Sequence, residues 1–144
     1  MEDLQQSLSA QMIRAHAALL QDLCRLEEAS RRNTSSNSAT VLQLLQRMQT
    51  DLHEHFRCEE QDGYMDAVRK REPNKEKVIE ELHVEHRDIA DKLEHLIRQI
   101  EAGSLTERAR TDAVVQWVKT VRRHESKENA LVQHAFNDDL SAED

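Results

Sequence analysis

The stretch HFRCEE, residues 55–60, places His55 four residues ahead of Glu59 directly after an apolar repeat. Near the other end of the chain, HESKE at residues 124–128 places His124 four residues ahead of Glu128. Residues four apart in an α-helix lie on one face, about one turn from each other. Both pairs occupy positions where the surrounding pattern calls for Leu or Val, which indicates a polar site inside a helical protein.

The composition favours long helices in one domain. The chain has 144 residues, enough for a substantial core. Only two glycines and one proline interrupt it, 3% of the residues are aromatic and 33% are charged, a balance typical of helical proteins. We therefore expect a single all-α domain over residues 1–144, with a polar tail from about residue 137.

Charge and cysteine usage exclude several classes of function. A net charge of −8 without a basic stripe argues against a nucleic-acid partner. The N-terminal MEDLQQSLSA lacks the basic start and apolar core of a signal peptide, and no apolar run is long enough to cross a bilayer. Cys24 and Cys58 form no C-x-x-C pair, so two reduced thiols are expected. These features predict a cytoplasmic protein without a membrane partner and leave its oligomeric state unknown.

Apolar residues recur at steps of three and four in four segments, which predicts four amphipathic helices. The first covers about residues 3–29, and the second ends before Pro73, which removes a backbone donor. The third stops at Gly103 and the fourth starts near Thr106. Short connections between helices of similar length favour an up-down-up-down antiparallel four-helix bundle.

Each apolar stripe, extended through its gaps, contains at least one ionisable residue. The six candidate metal ligands found in this way are His16, His55, Glu59, His86, His124 and Glu128. Burial of two carboxylates without partners would cost several kcal/mol, and a bound cation removes that cost. The combination of a histidine on every seam with two carboxylates predicts a metal site in the bundle interior.

The donor types restrict the choice of metal. Imidazole and carboxylate without thiolate suit iron, manganese or zinc. Six donors are too many for one tetrahedral zinc ion but suit two five- or six-coordinate ions that share both carboxylates. Such a pair leaves room for an oxo or hydroxo bridge and for a small exogenous ligand. Two non-haem iron ions are the expected cofactor, with manganese or zinc as the open alternatives.

The ordered set of motifs resembles the hemerythrin-like family, the HHE cation-binding domains. The family pattern is a histidine on the first helix, H-x-x-x-E on the second, a histidine on the third and H-x-x-x-E on the fourth. The matching segments are RAHAALL, HFRCEE, VEHRDI and HESKEN, and the segment EEQDGYM is also similar to segments of family members. The resemblance spans about residues 5–136 and implies a di-metal four-helix bundle.

Two departures from oxygen-carrying hemerythrins bear on function. Those proteins typically have two histidines one turn apart on the third helix and H-x-x-x-x-D on the fourth. Here position 82 is leucine, and the carboxylate of the fourth helix is Glu128 at spacing four. His83, beside the seam, is an alternative fifth imidazole. Fewer histidines imply more open metal positions, which favours oxidation chemistry, binding of nitric oxide or peroxide, or iron sensing over oxygen carriage.

Three functions are therefore open. The leading hypothesis is a di-iron protein that binds a small diatomic ligand or peroxide, or senses iron. The second is an enzyme that acts on peroxide or nitric oxide at the same centre, for which no catalytic residue is assigned. The third is a metal-free bundle that serves as a protein-interaction scaffold, with the buried polar cluster fixing its register.

Several neighbours of the motif have open roles. Tyr64 is expected either to pack beside the site or to donate a hydrogen bond to it. Successive residues of an α-helix point about a hundred degrees apart, so Glu60 faces away from Glu59. It reaches the site only if the second helix distorts at Gly63. His53, His95 and His134 fall off the seams and are predicted to be solvated.

Overall fold

The computed structural model describes the backbone of residues 2–32, 37–61 and 63–142, and the side chains of residues 10–32, 38–61 and 63–136. Within these residues the protein is all-α and has no strand, as predicted. The helices are α1 (Glu2–Arg31), α2 (Asn37–Glu60), α3 (Tyr64–Arg71), α4 (Glu76–Glu101) and α5 (Glu107–Ala142), with a 3-10 turn at Pro73–Lys75.

The four long helices surround a common interior. Helix α1 contacts α2 and α5, and α4 contacts the same two helices, so α1, α2, α4 and α5 form a closed ring. The short helix α3 lies against all four of them at one end. This arrangement is that of a helical bundle, in which the inner stripe of every long helix faces the others.

The end of α4 and the start of α5 follow local signals. Gly103 ends α4 with a φ of 66°, a conformation that favours glycine. Thr106 precedes α5 and its Oγ1 accepts a hydrogen bond of 3.1 Å from the backbone nitrogen of Ala109. The backbone of α5 stays helical to Ala142, beyond the predicted start of the polar tail.

The second predicted helix is two helices, and Gly63 stands directly before the second of them. A Cβ atom at Gly63 would lie 2.1 Å from the carbonyl oxygen of Cys58 and 2.8 Å from that of Glu59. The chain therefore comes so close to the last turn of α2 that only glycine fits there. The prediction of one continuous helix up to Pro73 was wrong, because this close approach redirects the chain into α3.

Two apolar clusters divide the bundle along its length. The larger cluster includes Leu19, Leu52, Phe56, Ile89 and Val121, and the smaller one includes Met12, Tyr64, Leu82 and Leu131. On α1, α4 and α5 the candidate ligands come between residues of the two clusters in sequence. The polar layer is therefore enclosed by apolar side chains towards both ends of the bundle.

Across the part of the chain that the structure describes, every helix is too short or too polar to span a bilayer.

Candidate metal centre

The six predicted ligands converge on one polar layer. His16, His86 and His124 are each 2% exposed, Glu59 is 6% exposed and Glu128 is fully buried. His55 is less buried, with 15% of its side chain exposed. The i, i+4 spacing on α2 and α5 sets each carboxylate beside the histidine one turn before it.

Glu59 divides its two carboxylate oxygens between two sets of imidazoles. Its Oε2 lies 3.0 Å from His16 Nε2 and 3.3 Å from His55 Nε2. Its Oε1 lies 3.2 Å from His86 Nε2. A carboxylate in this position has one oxygen available to each of two neighbouring cations.

Glu128 is placed in a similar way from α5. Its Oε1 lies 3.1 Å from His124 Nε2 and 3.6 Å from His16 Nε2, and its Oε2 lies 3.3 Å from His86 Nε2. Together the two carboxylates take part in two groups of candidate donor atoms. Within each group, all the donor atoms lie within 4.8 Å of one another. We call the first group the His16–His55 position and the second the His86–His124 position. Each consists of the two named histidines together with Glu59 and Glu128.

Three of the four imidazoles are oriented by an acceptor on their outer side. The Nδ1 atom of His16 donates to Asn129 Oδ1 at 2.7 Å, that of His86 to Glu60 Oε2 at 2.6 Å, and that of His124 to Glu85 Oε1 at 2.8 Å. Lys127 lies 2.6 Å from the other oxygen of Glu85. Such outer partners fix the ring orientation and leave Nε2 directed at the centre.

Two aromatic side chains contact the candidate ligands. The ring of Phe56 stacks on that of His86, with centroids 3.9 Å apart and planes 9° apart. Tyr64, 3% exposed at the start of α3, donates a hydrogen bond from its hydroxyl to Glu128 Oε2. Of the two roles expected for Tyr64, the structure thus shows both burial and a hydrogen bond to a candidate ligand.

Glu125 is a member of the polar layer that the sequence analysis missed. It is 1% exposed, with Oε2 at 2.6 Å from His16 Nε2 and Oε1 at 3.7 Å from His55 Nε2. The predicted seam of α5 ran through Val121, His124 and Glu128. A second stripe at steps of four and three was the available signal: Val114, Val118, Val121, Glu125, Glu128, Val132 and Ala135 are all buried.

Buried atoms without a regular hydrogen bond test whether the layer suits a cation. Among the described side chains, several buried atoms lie within ion-pair distance of their neighbours but make no hydrogen bond of regular geometry, including His55 Nε2, Glu59 Oε1, His124 Nε2, Glu128 Oε1 and both oxygens of Glu125. Buried polar atoms are nearly always hydrogen-bonded, so this concentration of donors and acceptors without a regular hydrogen bond in one layer is unusual. Carboxylate oxygens and imidazole nitrogens are the ligands that iron, manganese and zinc accept, so the residues present fit such a group.

The histidines are strongly basic in this environment. Burial lowers the pKa of His16, but the nearby carboxylates of Glu125 and Glu59 outweigh burial and raise it to about 10. The same balance raises the pKa of His55 to about 9, through Glu125 and Glu59, and that of His86 to about 10, through Glu128 and Glu59. The pKa of His124 is also raised, because Glu128 and Glu85 offset its burial.

The carboxyl groups and the phenol shift in the complementary directions. Burial raises the pKa of Glu59, but hydrogen bonds to the surrounding imidazoles outweigh it and hold the pKa well below its usual range. The pKa of Glu125 is lowered in the same way, since the imidazoles of His16 and His55 outweigh its burial. Burial and the charge of Glu128 raise the pKa of Tyr64, which therefore keeps its proton.

The remaining sequence candidates lie outside this layer. His83 is 29% exposed and its Nδ1 lies 3.6 Å from Glu60 Oε1, so it belongs to neither donor group. Cys58 is exposed and approaches Glu54 at 3.6 Å, and Cys24 is also a free, exposed thiol. The off-seam histidines predicted to be solvated are exposed: His53, His95 and His134.

Glu60 does reach the site, as expected if the helix broke near Gly63. It is the last residue of α2, and its carboxylate meets His86 there.

A family model for the hemerythrin HHE cation-binding domain matches residues 7–136. The chain belongs to this family. The match covers nearly the whole chain, including every candidate ligand, and confirms the resemblance inferred from the ordered motifs. No curated protein and no solved structure matches the chain significantly.

Membership of the HHE family and the geometry of the layer both indicate cation binding. The family is described by cation binding, and the structure contains two adjacent groups of histidine and glutamate donors that could hold metal ions.

Proposed function

We propose that this HHE domain holds two non-haem iron ions and uses them to bind oxygen, nitric oxide or peroxide, or to sense iron. The proposed ligands are the six predicted from the sequence: His16, His55, Glu59, His86, His124 and Glu128. The observation that carries the proposal is the division of the Glu59 oxygens between His16 and His86. That division supports a bridging carboxylate between two ions better than it supports one mononuclear site.

The surroundings favour a bound cation over a purely structural polar cluster. A cluster that served only to fix the register would be expected to pair its buried atoms internally. Here Glu59 Oε1 and Glu128 Oε1 lie 3.2 and 3.1 Å from imidazole nitrogens but make no hydrogen bond of regular geometry within the described residues. Iron is preferred to zinc because the donors number more than four and include no thiolate. An oxo or hydroxo bridge would complete the pair.

The access to the centre suits a small ligand. Two pockets reach the layer. One of about 190 Å³ lies between α1, α2 and the start of α3 and is lined by His55, Glu59 and Tyr64, among others, and one of about 430 Å³ is lined by Phe56 and His86, among others. The donor atoms themselves are buried, which favours diatomic molecules and peroxide over larger substrates. When bound, the iron pair would supply electron transfer and open coordination positions. The chain supplies the enclosure, the ligand orientation and the phenol proton of Tyr64.

An enzyme acting on peroxide or nitric oxide is the second candidate, and Tyr64 is the observation that favours it. Its protonated hydroxyl contacts Glu128, which both donor groups share, and it can donate a proton or a hydrogen bond to a substrate bound beside that carboxylate. This candidate predicts turnover of peroxide or nitric oxide well above that of free ferrous iron. Turnover equal to free iron would leave binding or sensing as the function.

Two further features are part of the proposal. The ring of helix contacts follows chain order, which supports the up-down-up-down antiparallel arrangement. A cytoplasmic location is compatible with reduced Cys24 and Cys58 and stays a prediction.

The decisive experiment measures metal content and absorption together. The full chain is refolded with ferrous iron without oxygen and then exposed to air, alongside the double variant His55→Ala/Glu128→Ala and the control His53→Ala. We expect two irons per chain and near-ultraviolet charge-transfer bands in the native chain and in the control, and neither in the double variant. His53 is the matched control because it is exposed on the same helix, two residues from His55.

Folding of each variant is checked by far-ultraviolet circular dichroism. A folded native chain without metal-dependent absorption would reject the iron centre and favour the interaction scaffold.

A further inference from the structure

A third buried carboxylate lies at only one end of the proposed iron pair. Glu125 is 1% exposed, and neither of its carboxylate oxygens makes a hydrogen bond of regular geometry within the described residues. It follows His124 in sequence but points towards α1 and α2, since its contacts are with His16 and His55. An ionised carboxylate at this depth requires a charged partner. In the described part of the chain Glu125 pairs with the imidazoles of His16 and His55 and with no Lys or Arg side chain, so a cation must compensate its charge once those imidazoles are neutral.

Glu125 lies outside both four-residue donor groups, but its distances to the two imidazoles bracket those between donors that share one ion. Glu125 Oε2 lies 2.6 Å from His16 Nε2, and Oε1 lies 3.7 Å from His55 Nε2. For metal–ligand bonds of about 2.1 Å, two donors on one ion are about 3.0 Å apart at right angles and about 3.4 Å apart at the tetrahedral angle. The described residues include no ion pair from Glu125 to His86 or His124, so the carboxylate belongs to one position.

We propose that Glu125 is a terminal ligand of the His16–His55 position, and that the exogenous ligand therefore binds at the His86–His124 position. The inference rests on the proposed dinuclear centre and deepens it. The His16–His55 position then has five protein ligands, with Glu125 added to the two imidazoles and the two shared carboxylates. The His86–His124 position has four.

Leu82 contributes to the same asymmetry. It precedes His86 by one turn on α4 and is 2% exposed, within the smaller apolar cluster. Leucine offers no donor atom, so this turn adds nothing to the His86–His124 position. For ions that take five or six ligands, the position with four protein ligands keeps more sites for a small molecule.

Titration with cobalt(II) tests the role of Glu125 without relying on activity. The visible absorption of cobalt(II) strengthens as its coordination number falls, so it reports each binding step. The metal-free full chain is titrated as native protein, as Glu125→Gln and as Asp112→Asn, which removes an exposed charge from the same helix. We expect two steps for the native chain and for Asp112→Asn. In Glu125→Gln one step should weaken at least ~10-fold, the lower end of the cost of disturbing a metal site, and its absorption should change.

The possible failures of this titration are distinguishable. Two unchanged steps in Glu125→Gln would overturn the role of Glu125 and leave the dinuclear centre intact. A native chain without two steps would overturn the dinuclear centre itself. If Glu125→Gln does not fold by circular dichroism, Glu125→Asp replaces it, because it keeps the charge and withdraws the carboxylate by one methylene. The same weakening is expected there, and unchanged titration would again overturn the inference.

Mössbauer spectroscopy of protein loaded with iron-57 tests where an exogenous ligand binds, with azide as the probe. We expect two signals of equal area in the native chain, one for each iron. Azide should shift one of them, and Glu125→Gln should alter or remove the other. If azide shifts the signal that the Glu125 substitution alters, the exogenous ligand binds at the His16–His55 position and the inference is wrong.

Discussion

The hydroxyl of Tyr64, at the start of α3, donates a hydrogen bond to Glu128 of α5, 64 residues later in the chain. This contact ties the redirected chain after Gly63 to a carboxylate that lies between two pairs of imidazoles. It also places a group that keeps its proton directly beside the proposed iron pair. The break between α2 and α3 is therefore part of the site.

Replacement of Tyr64 by phenylalanine removes this contact with little change in volume. A hydrogen bond to a charged acceptor contributes about 1.5–3 kcal/mol, and its loss leaves Glu128 with one partner fewer. We expect the metal-free protein to lose stability in that range in urea unfolding. Equal unfolding free energies for Tyr64→Phe and the native chain would show that the contact adds nothing to stability.

The two glycines provide a matched pair of substitutions. Gly63→Ala forces a Cβ atom against backbone oxygens of α2, so the start of α3 must move and Tyr64 must leave Glu128. Gly103→Ala meets no atom within 4 Å and is only strained by its φ of 66°, at a cost of about 1–2 kcal/mol. We expect both variants to be less stable, but only Gly63→Ala to bind metal more weakly, as measured by metal titration. Equal metal affinities in the two variants would contradict a role for the helix break in forming the centre.

The outer partners of the histidines should tune metal affinity. Glu85→Gln weakens the acceptor at His124 Nδ1 and removes the charge that Lys127 faces. Loss of such a partner typically lowers metal affinity 10–100-fold. The control Glu94→Gln neutralises an exposed carboxylate of the same helix that pairs with Arg98. Competition with a chelator measures the metal affinity of both variants. Similar metal affinities in the two would exclude the orienting role of Glu85.

The metal-free protein should lose stability as the pH rises above neutrality. The folded pKa values of His16, His55 and His86 are about 10, 9 and 10, against 6.5 for an unperturbed histidine. A raised pKa means that folding strengthens proton binding, so its stabilisation is complete below pH ~6.5 and disappears as the pH rises through about 9–10. The lowered pKa values of Glu59 and Glu125 matter at acid pH. Their contribution to the stability of the folded state is lost as the pH falls below ~4.5.

Metal binding should reverse this loss of stability at alkaline pH. Coordination requires neutral imidazoles, so each bound ion displaces protons and binds more tightly at higher pH. We expect the melting temperature of loaded protein to exceed that of chelated protein, by a margin that grows between pH 6 and pH 9. Calorimetry in buffers of different ionisation enthalpy also measures the released protons. A margin independent of pH, or no margin at all, would show that these imidazoles do not ligate the metal.

The six residues that meet in the polar layer could be found from the sequence because their signal is local. A spacing of four sets His55 beside Glu59 and His124 beside Glu128 in any α-helix, whatever surrounds it. His16 and His86 each interrupt a stripe of apolar residues on one helix, which also shows in the sequence alone. Helical periodicity and the order of the motifs thus determined the fold class, the family and these six positions.

Partners brought together from distant parts of the chain were decided only by the tertiary structure. Glu125 lies on a second stripe of α5, whose burial depends on α5 packing against both α1 and α4. The acceptors of His86 and His124, Glu60 and Glu85, become identifiable only when neighbouring helices face one another at a fixed depth. The contact from Tyr64 to Glu128 requires a break in a helix that periodicity predicted to be continuous, because a close approach of backbone to backbone leaves no trace in side-chain spacing.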